Sequence, residues 1–125
     1  DPAEEAISLY PQFAIADARR VFACFEQPDL KATFAWSVTG PAEWEVRSNT
    51  PAEPVHLLSD GLARWQFPPT PPLSTYLAAV CAGPFHVVAD SYNGPHGSYP
   101  LALLTRASVA EHLDAHAAVR LARLI

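Results

Sequence analysis

The chain has 125 residues, 50% of them apolar, so it is the size of one domain and can bury a core. Thirteen acidic against eight basic residues give a net charge of −5, which argues against a surface that tracks nucleic-acid phosphates. The longest nearly apolar run, Tyr76 to Phe85, is far below the ~20 residues that cross a bilayer as a helix, and no secretory signal pattern stands at the visible start.

Thirteen prolines, roughly twice the usual share, predict short elements joined by stiff turns. Ile7 to Phe13 can form a first strand, with Pro11 marking an edge or an interruption. Ala16 to Ala23 reads as a short helical or turn-like stretch opened by Asp17. From Thr33 to Thr39 the residues alternate, Phe34, Trp36 and Val38 on one face and Thr33, Ala35 and Ser37 on the other. Gly40-Pro41 is expected to turn the chain. Glu43 to Arg47 alternates again and would bury Trp44 and Val46.

After turn-rich Ser48 to Pro54, Val55 to Leu58 and Leu62 to Phe67 flank Asp60-Gly61, the pattern of a tight β-hairpin. Pro68 to Pro72 is a stiff connector. Thr75 to Val80 and Phe85 to Asp90 are expected as two further strands, and Tyr92 to Pro100 as a linker-like loop. Leu101 to Thr105 predicts one more strand. Ser108-Val109-Ala110-Glu111 has the form of a capping box, and Val109, Leu113, Ala117, Leu121 and Leu124 follow at helical spacing. Composition shifts near Ser98, the best candidate for a domain boundary. The expected fold is mainly β, a partial antiparallel or mixed sandwich-like domain with a carboxy-terminal α-helix.

Residues with chemistry to offer mostly have structural explanations. His112 and His116 share a helix face, but Leu113 follows the first His, and only Glu111 or Asp114 could add a ligand; a solvated face is expected. Glu26, Asp29 and Lys31 around Pro28 are expected to cap and solvate a turn. Arg19 and Arg20 are expected to pair with Asp17 or Glu26. The three tryptophans fall at strand-alternation positions and read as core. His56, His86 and His96 are isolated, and Ser74 and Ser98 lack a His/Asp pattern that would activate them. Cys24 and Cys81 are too few for a disulfide scaffold; two free thiols are expected, with one bridge between them as the alternative, and the compartment leans cytoplasmic.

Two strings go beyond composition: DARRVFACFEQPDLKATF, Asp17 to Phe34, and TPPLSTYLAAVCAGPF, Thr70 to Phe85. The first strongly resembles the signature of the amino-terminal β domain of the aminopeptidase N family of zinc-dependent peptidases, and the second resembles that domain's last strands. The match runs roughly from Ile7 to Leu121. It implies that residues 1–98 are part of the amino-terminal β domain, and that residues 99–125 are the opening strand and first helix of a thermolysin-like catalytic domain.

The resemblance also implies a substrate loop just before Asp17-Ala18-Arg19-Arg20. Gln12 matches the family there and would line the first substrate pocket. Ala14 stands where the family carries the anchor for a peptide's free amine, and a methyl group cannot pair with an ammonium ion. The family's zinc motif, H-E-x-x-H, does not occur here, nor does its G-x-M-E-N string; the chain has no Met at all. No catalytic residue and no cofactor are therefore expected in this chain, with zinc expected in a full-length parent.

The partners implied are the remaining polypeptide of that parent and a peptide substrate, with neither nucleic acid nor membrane. With no Met at position 1 and the chain stopping inside a helical pattern, both ends are expected to be cut and the piece to self-associate. The alternative from another class is a non-catalytic β-domain binding or interaction module, a decayed family member, which Ala14 favours and the intact strand pattern and abrupt carboxy-terminal cut disfavour.

Overall fold

A computed structural model describes residues 8–10, 17–112 and 114. Among them the strands are β1 (Trp36–Pro41), β2 (Glu45–Ser48), β3 (His56–Leu57), β4 (Leu62–Phe67), β5 (Val80–Gly83), β6 (Phe85–Gly94) and β7 (Gly97–Arg106). Short 3-10 helices lie at Ala18–Arg20, Thr75–Leu77 and Ala107–His112. Every strand pairing among the described residues is antiparallel, so the chain is mainly β, as its alternating patterns predict. It divides into two compact units between Gly83 and Pro84.

The first unit is built on the hairpin β3–β4. Asp60 and Gly61 take φ of 61° and 72°, the left-handed pair that a tight hairpin turn requires. Beyond it β4 alternates strictly: Ala63, Trp65 and Phe67 are buried, while Leu62, Arg64 and Gln66 are exposed. β1 pairs on the other side of β4, Val38 opposite Trp65, giving the order β1-β4-β3. A second sheet, β2 with β5, sets Val46 opposite Ala82. Val46 and Ala82 join Ala63, Trp65 and Phe67 in one core, against which Trp36, Val38 and Trp44 pack half-buried. All three tryptophans thus serve the core. Each large side chain so buried contributes roughly 1.5–3 kcal/mol.

Three local expectations change here. Gly40-Pro41 ends β1 and does not turn; the turn comes at residues 42–43, where Trp44 N–H donates to the Pro41 carbonyl. β1 begins at Trp36, because Phe34 pairs with Thr70 through backbone and hydroxyl instead of continuing the ladder. Thr75 to Val80 is no strand: Thr75–Leu77 is a 3-10 helix and β5 runs Val80–Gly83. Buried hydroxyls of Ser74 and Thr75, which bond to the carbonyls of Pro28 and Phe25, curl this segment where its side chains alone read as extended. Of the first expected strand, Ser8, Leu9 and Tyr10 are described; Leu9 exchanges two backbone bonds with Ala82, 2.7 and 2.8 Å.

In the second unit, β6 and β7 form one long hairpin, in register from Phe85↔Arg106 to Gly94↔Gly97. The expected loop Tyr92 to Pro100 is therefore the tip of a hairpin. Its two glycines bracket the turn at Pro95-His96, and Gly97 takes φ of 132°. Tyr92 and Tyr99 stack across the strands with centroids 6.4 Å apart, the kind of cross-strand aromatic pair that holds a ribbon together. Pro100 is tolerated because, among the described residues, β6 and β7 pair only with each other and each has an open side. Ser98, where composition shifts, lies within β7. Ser108 lies inside the 3-10 helix Ala107–His112 and not ahead of it, so it does not start a capping box. Leu113 and residues 115–125 of the expected α-helix lie outside the described residues.

Candidate functional site

The segment 17–34 carries the distinctive sequence, and its geometry starts from a helix end. The first amides of any helix lack internal partners. Asp17 precedes the 3-10 helix Ala18–Arg20 but makes no side-chain cap. Glu26 does this from seven residues downstream: its Oε1 accepts the Arg19 backbone N–H at 2.7 Å. The Arg19 Nε stands 3.1 Å from Oε2 as an ion pair, with the Glu26 side chain 8% exposed and that of Arg19 70%. Oε2 receives no aligned hydrogen bond, and the recess beside it, lined by Ala18, Pro28 and Tyr76, is too tight for a water molecule. Arg20 faces Asp17 at 3.9 Å. The two arginines thus pair within the fold, with the two acids named for them from the sequence.

The chain from Phe25 to Phe34 is fastened to the segment 70–75. Ala32 and Leu73 exchange backbone bonds of 3.1 and 3.0 Å, and Thr70 both donates its N–H to the Phe34 carbonyl and accepts the Phe34 N–H on Oγ1. The Ser74 and Thr75 hydroxyls complete this seam. Above it lies a groove of about 550 Å3 whose lining includes Phe22, Phe25, Leu30 and Phe34, with the exposed Asp29 and Lys31. Phe34 stacks on Trp36 at 6.0 Å, and the Phe22 ring meets both edge-on at 5.9 and 5.6 Å. Phe25 is 80% exposed.

This groove has shape but little reactive chemistry. Cys24 lines it with a thiol held above its ordinary value by desolvation and then by the Glu26 carboxylate, with the Arg19 guanidinium opposing. Burial raises the Cys81 thiol in the same direction. Both cysteines are free, and both favour the protonated, unreactive form. Among the described residues no three His, Cys, Asp or Glu side chains converge where a metal could sit. His112 is exposed, while His116 lies outside the described residues. Ser98 is an exposed strand residue, and the Ser74 hydroxyl is engaged with a carbonyl.

Gln12 and Ala14 also lie outside the described residues. What the structure brings together, and sequence reasoning did not, is Glu26 with the Arg19 amide and Phe22 with Phe34 and Trp36. Alternation marks Phe34 and Trp36 as one face; nothing periodic points to Phe22 or to a cap seven residues away.

Comparison with known proteins agrees with this segment's prominence. Residues 3–77 match the model of the Peptidase M1 N-terminal domain. An "Aminopeptidase N" of Streptomyces lividans is 48% identical over 124 residues, which are 98% of this chain and 14% of that protein. An "Aminopeptidase N" of Acetobacter pasteurianus is 37% identical over 103 residues, 82% of this chain and 28% of that protein. A human "Glutamyl aminopeptidase" is 38% identical over 72 residues, 58% of this chain and 8% of that protein. The chain therefore spans a small part of the relatives it matches. On the match over residues 3–77 and the likeness along almost its whole length, this chain belongs to the Peptidase M1 N-terminal domain family.

Proposed function

We propose that this chain is a segment of a zinc aminopeptidase that removes amino-terminal residues from peptides, and that it supplies one wall of the substrate pocket. The observation that carries this reading is the likeness to an "Aminopeptidase N" over 98% of the chain. The wall is the Gln12 to Ala14 loop, which enters the turn at Asp17 through Ile15 and Ala16. Gln12 lines the first substrate pocket, while Ala14 leaves the substrate's ammonium group to carboxylates elsewhere in the parent. Zinc, held by the parent's catalytic domain, supplies the activated water; this chain's part is to shape and orient.

By itself the segment is inert. Its partners are the rest of the parent polypeptide, which continues into the catalytic domain from about Tyr99, and the peptide substrate. Two free thiols fit a cytoplasmic setting. The test uses the full-length enzyme. Ala14→Glu places a carboxylate near the substrate amine, worth on the order of 1–3 kcal/mol when partly desolvated, and lowers KM about fivefold or more. An unchanged KM means that the loop does not face the amine. Hydrolysis of an aminoacyl chromogenic amide by the 125-residue chain alone would overturn the assignment of an inert wall.

A further inference from the structure

We infer that the groove above the Phe25 to Phe34 seam docks a second copy of this chain, each copy seating its Phe25 in the other's groove about a two-fold axis. Every residue involved lies in the first compact unit, and none belongs to the Gln12 to Ala14 loop. Phe25 is 80% exposed on a backbone that is held in place, because its carbonyl accepts the Thr75 hydroxyl at 3.0 Å. No other aromatic ring among the described residues meets it. A stiff aromatic side chain on a fixed backbone loses little freedom on docking. The groove it borders is lined by Phe22, Leu30 and Phe34, and the Phe22 and Phe34 rings are set against each other edge-on at 5.9 Å. Anchor and recess thus adjoin on one face.

An apolar face alone would accept many partners; the charges select the second copy. Asp29 and Lys31, of opposite sign and two residues apart, both line the groove and are exposed. Neither has an ion pair among the described residues, and the Asp29 carboxylate accepts only a long bond, 3.5 Å, from the Gln27 amide. Their turn is fixed by Leu30 N–H donating to the Gln27 carbonyl at 2.9 Å and Lys31 N–H to the Asp29 carbonyl at 3.1 Å. A two-fold axis sets one residue against another and the second against the first. Across it Asp29 of each copy faces Lys31 of the other, so both charges find a match that a partner of single sign could not give. Two anchoring rings, each burying roughly 150–250 Å2, make a small interface of the weak class.

The test is sedimentation velocity of the 125-residue chain from micromolar to hundreds of micromolar. Phe25→Ala is expected to raise the dimer's dissociation constant about tenfold or more, as truncation of an aromatic anchor does. Asp29→Lys and Lys31→Asp, each alone, set like charges across the axis and are expected to raise it severalfold at low salt. An equimolar mixture of these two variants restores every opposite pair and is expected to return it to within about twofold of the parent chain. All three residues are exposed, so none of the substitutions opens the core. Cys24, which also lines the groove, is expected to be alkylated more slowly as the dimer forms, with Cys81 keeping one rate.

A dissociation constant unchanged in Phe25→Ala, or a mixture no tighter than either charge variant, would overturn the inference. A larger loss in Leu57→Ala than in Phe25→Ala would move the contact to β3 and overturn it as well. A monomer throughout, with Cys24 alkylated at one rate whatever the concentration, would do the same and leave the groove to another segment of a parent enzyme.

Discussion

Asn49 should respond to substitution in a way that its position on an exposed loop does not suggest. The β2–β5 ladder ends at Ser48↔Val80. One residue further, the Asn49 side chain continues it: Nδ2 donates to the Leu77 carbonyl at 2.8 Å and Oδ1 accepts the Ala79 N–H at 2.8 Å. Beside it the Ser48 hydroxyl donates to the Ala79 carbonyl at 2.8 Å. The amide thereby ties the exit of the 3-10 helix Thr75–Leu77 to the start of β5. Each such bond contributes ~0.5–1.5 kcal/mol net, less where water competes, so Asn49→Ala is expected to cost about 1–2 kcal/mol.

Asn49→Asp is the sharper perturbation. A carboxylate still accepts from Ala79 N–H, but it sets an oxygen against the Leu77 carbonyl where a donor stood. The protonated acid can donate there, so folding raises the introduced carboxyl's pKa above its unfolded value of ~3.9. A raised folded pKa means stability that is present at low pH and lost as pH rises through that value. Asn49→Asp should therefore be less stable than Asn49→Ala at pH 7 and close the gap on acidification. Urea unfolding followed by tryptophan fluorescence, both variants measured side by side from pH 3.5 to 7, reads this directly. Asn49→Ala within about 0.3 kcal/mol of the parent, or an Asp-minus-Ala difference flat with pH, would refute the clamp.

Other substitutions and conditions follow from the same structure. Trp65→Ala, at 5% exposure in the middle of the shared core, is expected to cost ~3–5 kcal/mol by the shift of the urea midpoint; a cost under ~1 kcal/mol would mean that the core is not where β4 places it. Both thiols are raised, so iodoacetamide should alkylate Cys24 and Cys81 more slowly at pH 8 than it alkylates a free peptide cysteine. Because the unfolded thiols release protons first, stability should fall as pH rises past the ordinary value of 9.0. The chain alone is expected to self-associate, since Phe25 and Leu57 are 80% and 77% exposed and β1 and β3 are the edges of their sheet among the described residues; size exclusion with light scattering showing a monomer at tens of micromolar would contradict this.

What the sequence by itself determined lies within a few residues of itself along the chain. Alternation at Ala63, Trp65 and Phe67 names a strand and its buried face, because successive side chains of extended backbone point to opposite sides. Asp60-Gly61 names its turn, because few residues accept two successive positive φ angles. The string from Asp17 to Phe34 carries the family, since its order is unrelated to any periodic demand of the fold.

Only the tertiary structure decided the rest. Thr75–Leu77 has the residues of a strand, yet it curls, because Ser74 and Thr75 reach carbonyls 46 and 50 residues away. Tyr92 to Pro100 has the residues of a loop, yet it extends, because its two arms meet in register and stack a pair of tyrosines. Glu26 is expected from the sequence to cap the turn around Pro28 and to pair with an arginine; what folding adds is that its nearly buried carboxylate also accepts a backbone amide seven residues back. In each case the deciding partner is a polar group brought near by folding. A backbone amide or carbonyl is common to almost every residue, so no local pattern records which one a side chain will meet.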